Sequence, residues 1–429
     1  MEEMTQLQDV MQTSVQEAQN PAPANSEDAK KGKKGGRLRG AALFVCGGLV
    51  GAAVSIGALY VHSGGTLFYK SFLSSESMAK LQTLYQMIEK HYYKSDELTE
   101  EQLADGLYKG LLESLDDPYS TYYTAEEMTK LDESISGSYS GIGAYVSKDT
   151  TTGYPKIAGV ISGAPAEKVG LMADDILYEA DGESLQDMDL DVAVSKIRGE
   201  KGTTVHLTIV RDGELMEFDV TRDEVTSTTV EGKMLEEGIG YLYISEFKEV
   251  TPEQFEEQLK TLQDENDLKG LVIDLRNNPG GTVDAVTSIA EYLIPEGLVF
   301  YMQYPDGSTK EYSTDGSNYI GIPITVLVNG NSASASEILS SAIQDSGAGK
   351  VVGTQSYGKG VVQTAYTMTD GTAVKLTICE YFTRNGNTIN KVGVTPDEVV
   401  EFDSEAYAED RSQDNQLQAA VELLKEETQ

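Results

Sequence analysis

The sequence predicts a multi-domain protein of mixed α+β and α/β class, and three observations support this prediction. The chain has 429 residues, enough for two to four domains that each bury a core. Apolar residues recur at helical spacing before residue 115, and in short strand-like runs separated by turns after residue 137. Predicted strands and helices then alternate between residues 238 and 347, which is typical of βαβ units around a largely parallel sheet.

The first 62 residues are predicted to include a membrane anchor. Residues 1–40 are polar and end in a basic cluster, so we expect a disordered cytoplasmic tail. Residues 41–61 carry no charge and would form a helix about 31 Å long, which matches a bilayer core. By the positive-inside rule, residues 41–62 are expected to be a single-pass anchor in the cell membrane, with the rest of the chain extracytoplasmic. A cleaved signal peptide and a soluble helical hairpin are the alternatives.

Residues 70–135 are predicted to form an N-terminal helical region. Their apolar residues repeat at helical spacing in two stripes, made of Leu81, Leu84, Tyr85 and Ile88, then of Leu103, Leu107, Leu111 and Leu112. Such a region is either a small helical subdomain or a dimerisation element, and the pattern alone does not separate the two. Residues 401–429 are predicted to form a second helical region at the C-terminus.

Residues 136–223 show short strands and glycine turns that suit peptide binding. Successive N–H groups of Gly141, Ile142, Gly143 and Ala144 could hold a C-terminal carboxylate, and the strand that follows could pair with the peptide. A β-bulge or a tight turn explains the glycine pair equally well. The order of elements, with Gly-Ala-Pro-Ala at 163–166 and Ala-Asp-Asp-Ile at 173–176, resembles a PDZ domain.

Composition argues against nucleic-acid, metal and cofactor chemistry. The chain has a net charge of −37, and its first 40 residues contribute none of it, so nucleic acid is not an expected partner. Two cysteines in unlike contexts, Cys46 and Cys379, predict no disulfide framework. The three histidines are scattered and lack the spacing of metal ligands, so neither a metal nor a cofactor is predicted.

A candidate site lies in the α/β core, residues 224–400. Ser332, Ser334 and Ser336 crowd a predicted strand-to-helix junction, where a hydroxyl lies close to free backbone N–H groups. Lys359 follows between two glycines, and Gln363 lies four residues further on, within a hairpin predicted over residues 358–382. A helix cap and an ordinary turn would explain these features without any chemistry.

Two familiar kinds of site are excluded. Gly353 to Lys359 matches the start of a phosphate-binding loop, but Gly360 stands where that loop needs Ser or Thr. No histidine belongs to the α/β core, which argues against a Ser-His-Asp triad. A lysine base remains possible if burial lowers its pKa by about 3 units from ~10.4, and the Gln363 amide could orient it without adding charge.

Longer motifs resemble the carboxyl-terminal processing peptidases, which are the tail-specific Ser-Lys proteases of family S41. Five segments carry the resemblance, at residues 117–120, 274–281, 329–338, 353–363 and 381–397. It implies a core like the ClpP/crotonase fold, with Ser334 as nucleophile, Lys359 as general base and Gln363 as the orienting group. It also implies oxyanion-binding N–H groups, for which the candidates are Gly281, Gly280 and Ala335.

Together with the predicted anchor, the resemblance implies a membrane-anchored, extracytoplasmic serine endopeptidase. Its PDZ domain would recognise protein substrates by their free, apolar C-termini. Arg198 is a candidate link between the PDZ domain and the core, and the family suggests a homodimer. The alternative is a catalytically silent PDZ scaffold on a protease-like fold. An intact set of Ser334, Lys359 and Gln363 argues against that alternative.

Overall fold

A computed structural model describes residues 74–265 and 268–427, so the predicted tail at 1–40 and anchor at 41–62 lie outside the described residues. No helix within the described ranges is long and apolar enough to cross a membrane. The chain divides into two compact units, residues 1–98 and 99–429.

The described part of the first unit is helical. Helix α1 (Ser75–His91) begins after Ser74, whose hydroxyl accepts the N–H of Ser77 and so caps the helix, and a 3₁₀ turn follows at Ser95–Glu97. No residue of α1 is buried. Its exposed apolar side chains are Met78, Leu84, Tyr85, Met87 and Ile88.

The second unit opens with two capped helices, α2 (Glu100–Glu113) and α3 (Ala125–Ser136). Thr99 and Thr124 each form a capping box at the helix start. Between the helices lies strand β1 (Thr121–Tyr123), which pairs with the distant strand β18 (Ala373–Thr383). The region predicted as helical therefore also contributes a strand to the core. A three-residue strand is too short for hydrophobic periodicity to reveal.

The predicted PDZ region is mostly strands. Its main sheet has the order β3-β4-β5-β7-β8, with β6 on β5, and a separate ribbon pairs β2 with β9. The strands are β2 (Ser138–Gly141), β3 (Ala144–Lys148), β4 (Pro155–Val160), β5 (Ile176–Ala180), β6 (Glu183–Ser184), β7 (Thr204–Arg211), β8 (Glu214–Thr221) and β9 (Asp223–Thr226), and the helices are α4 (Pro165–Val169) and α5 (Leu190–Ile197). Strand β3 is an edge strand, and α5 packs beside it.

The α/β core is built on a six-stranded sheet of order β10-β11-β12-β15-β16-β19. All its pairs are parallel from β11 onward, which confirms the predicted parallel sheet. The strands are β10 (Val230–Met234), β11 (Ile239–Ile244), β12 (Gly270–Asp274), β15 (Ile324–Val328), β16 (Gly349–Gly353) and β19 (Glu398–Val399), and the helices are α6 (Thr251–Glu265), α7 (Val283–Leu293), α8 (Ala335–Ser346), α9 (Ser404–Glu409) and α10 (Asn415–Glu427).

Alternate residues of the central strands face opposite helical layers. Leu271 and Ile273 of β12 join the apolar core shared with α6, α7 and α8, while Val272 between them packs with α10. All residues of β12 and β15 are buried, as expected for a parallel sheet covered on both faces. Because β12 and β15 are parallel neighbours, their carboxyl ends lie at the same edge of the sheet, and the segments that follow them converge there.

A second, five-stranded sheet packs beside the first and carries the region around Lys359. Its strands are β1, β13 (Gly297–Gln303), β14 (Thr309–Thr314), β17 (Val361–Thr367) and β18, in the order β1-β18-β13-β14 with β17 also on β18. The β17–β18 pair is antiparallel, which confirms the predicted hairpin. A register shift between Val362 and Gln363 adds an irregularity near its base.

Candidate active site

Ser334 lies at the junction between β15 and α8 in a strained conformation. Its φ is 55° and its ψ is −113°. A non-glycine residue with such a φ costs on the order of 1–3 kcal/mol, which persists only where the surrounding structure fixes it. Ser334 is half-buried, and its carbonyl accepts the N–H groups of Glu337 and Ile338 in the first turn of the helix.

The two neighbouring serines have structural hydrogen bonds. The Ser332 hydroxyl donates to the Leu275 carbonyl at 2.8 Å, and the Ser336 hydroxyl donates to the Asn278 carbonyl at 3.0 Å. Both serines are fully buried. The Ser334 hydroxyl donates to neither carbonyl, so it is the one of the three left for chemistry.

The turn that follows β12 brings Gly280 and Gly281 against Ser334. A Cβ on Gly280 would lie 2.8 Å from Ser334 Cβ and 3.0 Å from the Ala335 nitrogen, so only glycine permits this approach. The Gly280 N–H donates to Asn278 Oδ1 at 2.8 Å and is therefore occupied. Within the described chain, the N–H groups of Gly281 and Ala335 donate to no backbone or side-chain acceptor, whereas those of Gly280 and Ser334 are occupied. Of the three amides expected from the sequence, those of Gly281 and Ala335 remain available to a reacting carbonyl.

Lys359 is half-buried in the loop between β16 and β17. Its ammonium lies 4.7 Å from the centre of the Tyr119 ring. Burial lowers the pKa of Lys359 and the positive charge of Lys375 lowers it further, while the carboxylates of Glu337 and Asp117 act in the opposite direction. The net shift of the lysine pKa is downward, as a lysine base requires.

The side chain that lies against the Lys359 ammonium comes from a distant part of the chain. It is Tyr119, whereas the nearby Val351 and Val352 pack within the sheet core. Tyr119 is held there because Ser120 accepts the N–H of Thr377 on β18 and donates to Asp117. The segment 117–120 thus belongs to the site, and its resemblance to a family motif is the signal that could have identified it.

Among the described residues, no hydrogen bond joins the Gln363 side chain to Lys359. Lys359 precedes the first residue of β17, whereas Gln363 lies within that strand and pairs with Thr377 of β18, so the two residues do not lie along one regular strand. The Gln363 amide instead donates to the hydroxyl of Thr377 at 3.3 Å. The backbone N–H of Thr377 donates to the Ser120 hydroxyl, which in turn donates to Asp117.

Two buried residues that sequence reasoning missed connect Ser334 to Lys359. The Glu337 carboxylate accepts the N–H groups of both residues, and the Tyr381 hydroxyl contacts the carbonyls of both. Burial raises the pKa of Tyr381 well above its usual value, so it is a neutral phenol. Glu337 looks like an ordinary capping residue in the sequence, and Tyr381 looks like one member of a strand.

The candidate peptide-binding residues lie at the start of edge strand β3. Ile142 is buried and its carbonyl accepts the N–H of Ala166, while Gly143 has a φ of 76°. Gly141 ends β2 and Ala144 begins β3, which leaves the free edge of β3 open beside α5. This is the arrangement that β-strand addition of a peptide needs.

Arg198 caps the C-terminal end of α5 and points toward α3. It donates to Glu133 at 2.6 Å, and its guanidinium lies 4.5 Å from the centre of the Tyr139 ring. The side chain therefore joins the PDZ region to the helix that precedes it, with no contact to Ser334 or Lys359 in this structure. No cluster of three or more possible metal ligands occurs among residues 74–265 and 268–427.

Comparison with known proteins identifies the family. The model of peptidase family S41 matches residues 238–400, a PDZ domain model matches residues 156–211, and the model of the activating protease CtpB N-terminal domain matches residues 64–127. The carboxy-terminal processing protease CtpA of Bacillus subtilis (strain 168) is 36% identical over 319 residues, which are 74% of this chain and 67% of that protein.

Two further proteins are similar. The carboxyl-terminal-processing protease of Synechocystis sp. is 33% identical over 73% of this chain and 75% of that protein. The solved photosystem II D1 C-terminal processing protease is 26% identical, covers 77% of this chain and 94% of that chain, and gives a TM-score of 0.45. This chain belongs to the carboxy-terminal processing proteases of peptidase family S41, and is therefore a serine peptidase with a PDZ domain.

Proposed function

We propose that this protein cleaves peptide bonds with a Ser-Lys dyad formed by Ser334 and Lys359. One observation carries the proposal most directly: the strained Ser334 adjoins two unoccupied N–H groups in the same site as a half-buried lysine of lowered pKa. Strain, free amide donors and a desolvated base are what a serine nucleophile needs.

In the proposed reaction, Ser334 Oγ attacks the substrate carbonyl while neutral Lys359 accepts the hydroxyl proton. The N–H groups of Ala335 and Gly281 stabilise the oxyanion that forms. Lys359 then donates the proton to the leaving amine, and water attacks the acyl-enzyme with Lys359 again as the base. Gln363 orients the lysine amine in this proposal, which requires a rearrangement of its present bond to Thr377.

The PDZ domain is proposed to select the substrate by its free C-terminus. The glycine turn at residues 141–144 would hold the terminal carboxylate, and the peptide would pair with the open edge of β3. An apolar terminal side chain is expected, because such pockets are lined by apolar residues. Arg198 would relay occupancy of this site through Glu133 on α3.

The proposal places the enzyme at the cell membrane, with residues 41–62 as anchor, a cytoplasmic N-terminus and an extracytoplasmic protease. A homodimer is part of the proposal, because the exposed Leu107 and Leu111 of α2 leave an apolar surface to be covered. Alkaline carbonate extraction of membranes tests the anchor, and release of the protein into the soluble fraction would contradict it. Light scattering of the detergent-solubilised full chain tests the homodimer, and a monomer mass would contradict it.

The dyad is tested by substitution in the full chain. Ser334→Ala and Lys359→Ala are expected to abolish cleavage of an unstructured protein that has an apolar C-terminus. Cleavage by both variants at the parental rate would contradict the dyad. A folded but inactive parental protein would instead favour the peptide-binding scaffold. EDTA is expected to leave the rate unchanged, because the proposed chemistry needs no metal.

A further inference from the structure

Glu337 is a buried carboxylate that forms no salt bridge among the described residues. It is the third residue of α8 and its side chain is fully buried. An ionised carboxylate is costly to bury unless hydrogen bonds compensate for the lost water. Four protein donors reach its two oxygens, and none of the ion pairs among the described residues involves it. The site is therefore built to hold this side chain as an acceptor.

The donors come from two separate segments of the chain. Glu337 Oε2 accepts the N–H of Ser334 at 2.8 Å and the N–H of Lys359 at 2.9 Å. Glu337 Oε1 accepts the N–H of Gly358 and the hydroxyl of Ser356, both at 2.6 Å. One oxygen atom thus joins the amide of the proposed nucleophile to the amide of the proposed base.

Tyr381 connects the same two residues on their carbonyl side. Its hydroxyl lies 2.6 Å from the Lys359 carbonyl and 3.2 Å from the Ser334 carbonyl. Tyr381 is itself fully buried against Phe300. Ser334 and Lys359 are therefore each held through both backbone groups by the same pair of buried side chains.

Helix capping alone does not account for Glu337. A capping box needs one bond from the side chain back to the N-cap N–H, and glutamine serves there as well as glutamate. The other three donors, from Ser356, Gly358 and Lys359, all belong to the loop that presents the lysine. An acceptor-only group with two oxygens can serve all four donors, whereas an amide has one acceptor oxygen.

We propose that Glu337 is a positioning residue that fixes the separation of Ser334 and Lys359 by binding the backbone of both. The inference rests on the proposed dyad and goes beyond it, because it assigns the assembly of the dyad to a side chain that does not touch the substrate. It also predicts two separable effects of Glu337, one through geometry and one through charge.

The effect of charge follows from the groups around Lys359. Glu337 on α8 and Asp117 in the N-terminal segment raise the pKa of Lys359, and Lys375 on β18 lowers it, while Tyr119 presents its ring. Lys359 acts as a base only when neutral, so activity falls as the pH drops through its pKa. Loss of the Glu337 charge lowers that pKa, and the acid limb of the kcat/KM profile then moves to lower pH.

The test compares Glu337→Gln with Glu337→Asp in the full chain, with the exposed Glu398→Gln as matched control. Because misplacement by about 1 Å costs about 10²-fold, both Glu337 variants are expected to lose kcat on that order with little change in KM. Only Glu337→Gln should move the acid limb to lower pH, since aspartate keeps the charge. Glu398→Gln should match the parent.

A folded Glu337→Gln variant with parental kcat and an unmoved acid limb would overturn the inference. If circular dichroism shows that Glu337→Gln is unfolded, the test uses Glu337→Asp alone. A reduced kcat with the acid limb of the parent supports the inference, and a kcat equal to that of the parent overturns it. Ser334→Ala and Lys359→Ala are assayed in parallel. Cleavage by those two would overturn the dyad and this inference together, whereas inactive dyad variants beside a parental Glu337→Gln would remove this inference alone.

Discussion

At the scale of single residues, the pKa of Lys359, the proposed base, depends on a balance of burial and neighbouring charges. Burial and the ammonium of Lys375 favour the neutral amine, and two carboxylates, Glu337 and Asp117, favour the ammonium. The lysine pKa is lowered overall, but the Tyr119 ring beneath the nitrogen also stabilises the charged form. A small change in any of these groups should therefore appear in the pH dependence of cleavage.

We expect Lys375→Met to move the acid limb of the kcat/KM profile to higher pH. Removing a like charge makes the ammonium form of Lys359 more favourable, so the pKa of Lys359 rises and a higher pH is needed to generate the neutral base. Lys269→Met is the matched control, because that exposed lysine lies at the amino end of β12, away from the site. A shift to lower pH would contradict the charge balance described above.

At the scale of secondary-structure elements, the site forms where two turns meet the start of α8. The turn at 277–281 follows β12, and the turn before Ser334 follows β15, and these strands are parallel neighbours. Their carboxyl ends therefore lie side by side, which brings Gly280 into contact with Ser334 across more than 50 residues of sequence. Only small residues fit at this contact, because the backbone of the turn after β12 lies directly against the backbone at the start of α8.

Gly280→Ala should both destabilise the protein and remove activity. The new Cβ would meet the Ala333 carbonyl at 2.7 Å, and a φ of 103° is unfavourable for alanine. We expect a loss of about 2–4 kcal/mol in the free energy of unfolding and a large fall in kcat.

The control for that substitution is Gly330→Ala, in the turn after β15. A Cβ there has its nearest neighbour at 3.9 Å, so the free energy of unfolding should change by less than about 0.5 kcal/mol. Denaturant unfolding and initial rates would measure both variants. Equal free energies of unfolding for the two variants would show that the backbone around Gly280 can move to accommodate a Cβ.

At the scale of the whole molecule, the proposed sites of peptide capture and peptide cleavage belong to different domains of one chain. The PDZ sheet has an open edge at β3, and the α/β core holds Ser334 and Lys359. Arg198 and Glu133 connect the PDZ region to α3, and segment 117–120, just before α3, lies against Lys359. A continuous stretch of chain thus runs from the proposed capture site to the proposed base.

We expect a substrate with an amidated C-terminus to be cleaved less efficiently than the same substrate with a free carboxylate. Hydrogen bonds to a charged group contribute about 1.5–3 kcal/mol, so kcat/KM should fall by at least about tenfold. The matched control is a pair of substrates that have the same free C-terminus and differ only at an internal acidic residue. Equal kcat/KM for the free and amidated forms would contradict recognition of the carboxylate.

The sequence by itself determined the class of the core, because the alternation of strand and helix patterns reflects a parallel sheet buried on both faces. It also determined the candidate serine and lysine, since their motifs are continuous stretches of chain. It predicted a role for Gly280 and Gly281, although it could not tell that the Gly280 amide is already occupied by Asn278.

Only the tertiary structure decided which groups surround those residues. Tyr119 lies against Lys359 because β1 and Ser120 attach the N-terminal segment to β18, more than 250 positions along the chain. Gln363 donates to Thr377 because the two residues are paired across β17 and β18. Glu337 binds a loop that follows it by 19 to 22 positions. These contacts join residues that are far apart in the chain, so they depend on how the elements pack and have no period or spacing in the sequence.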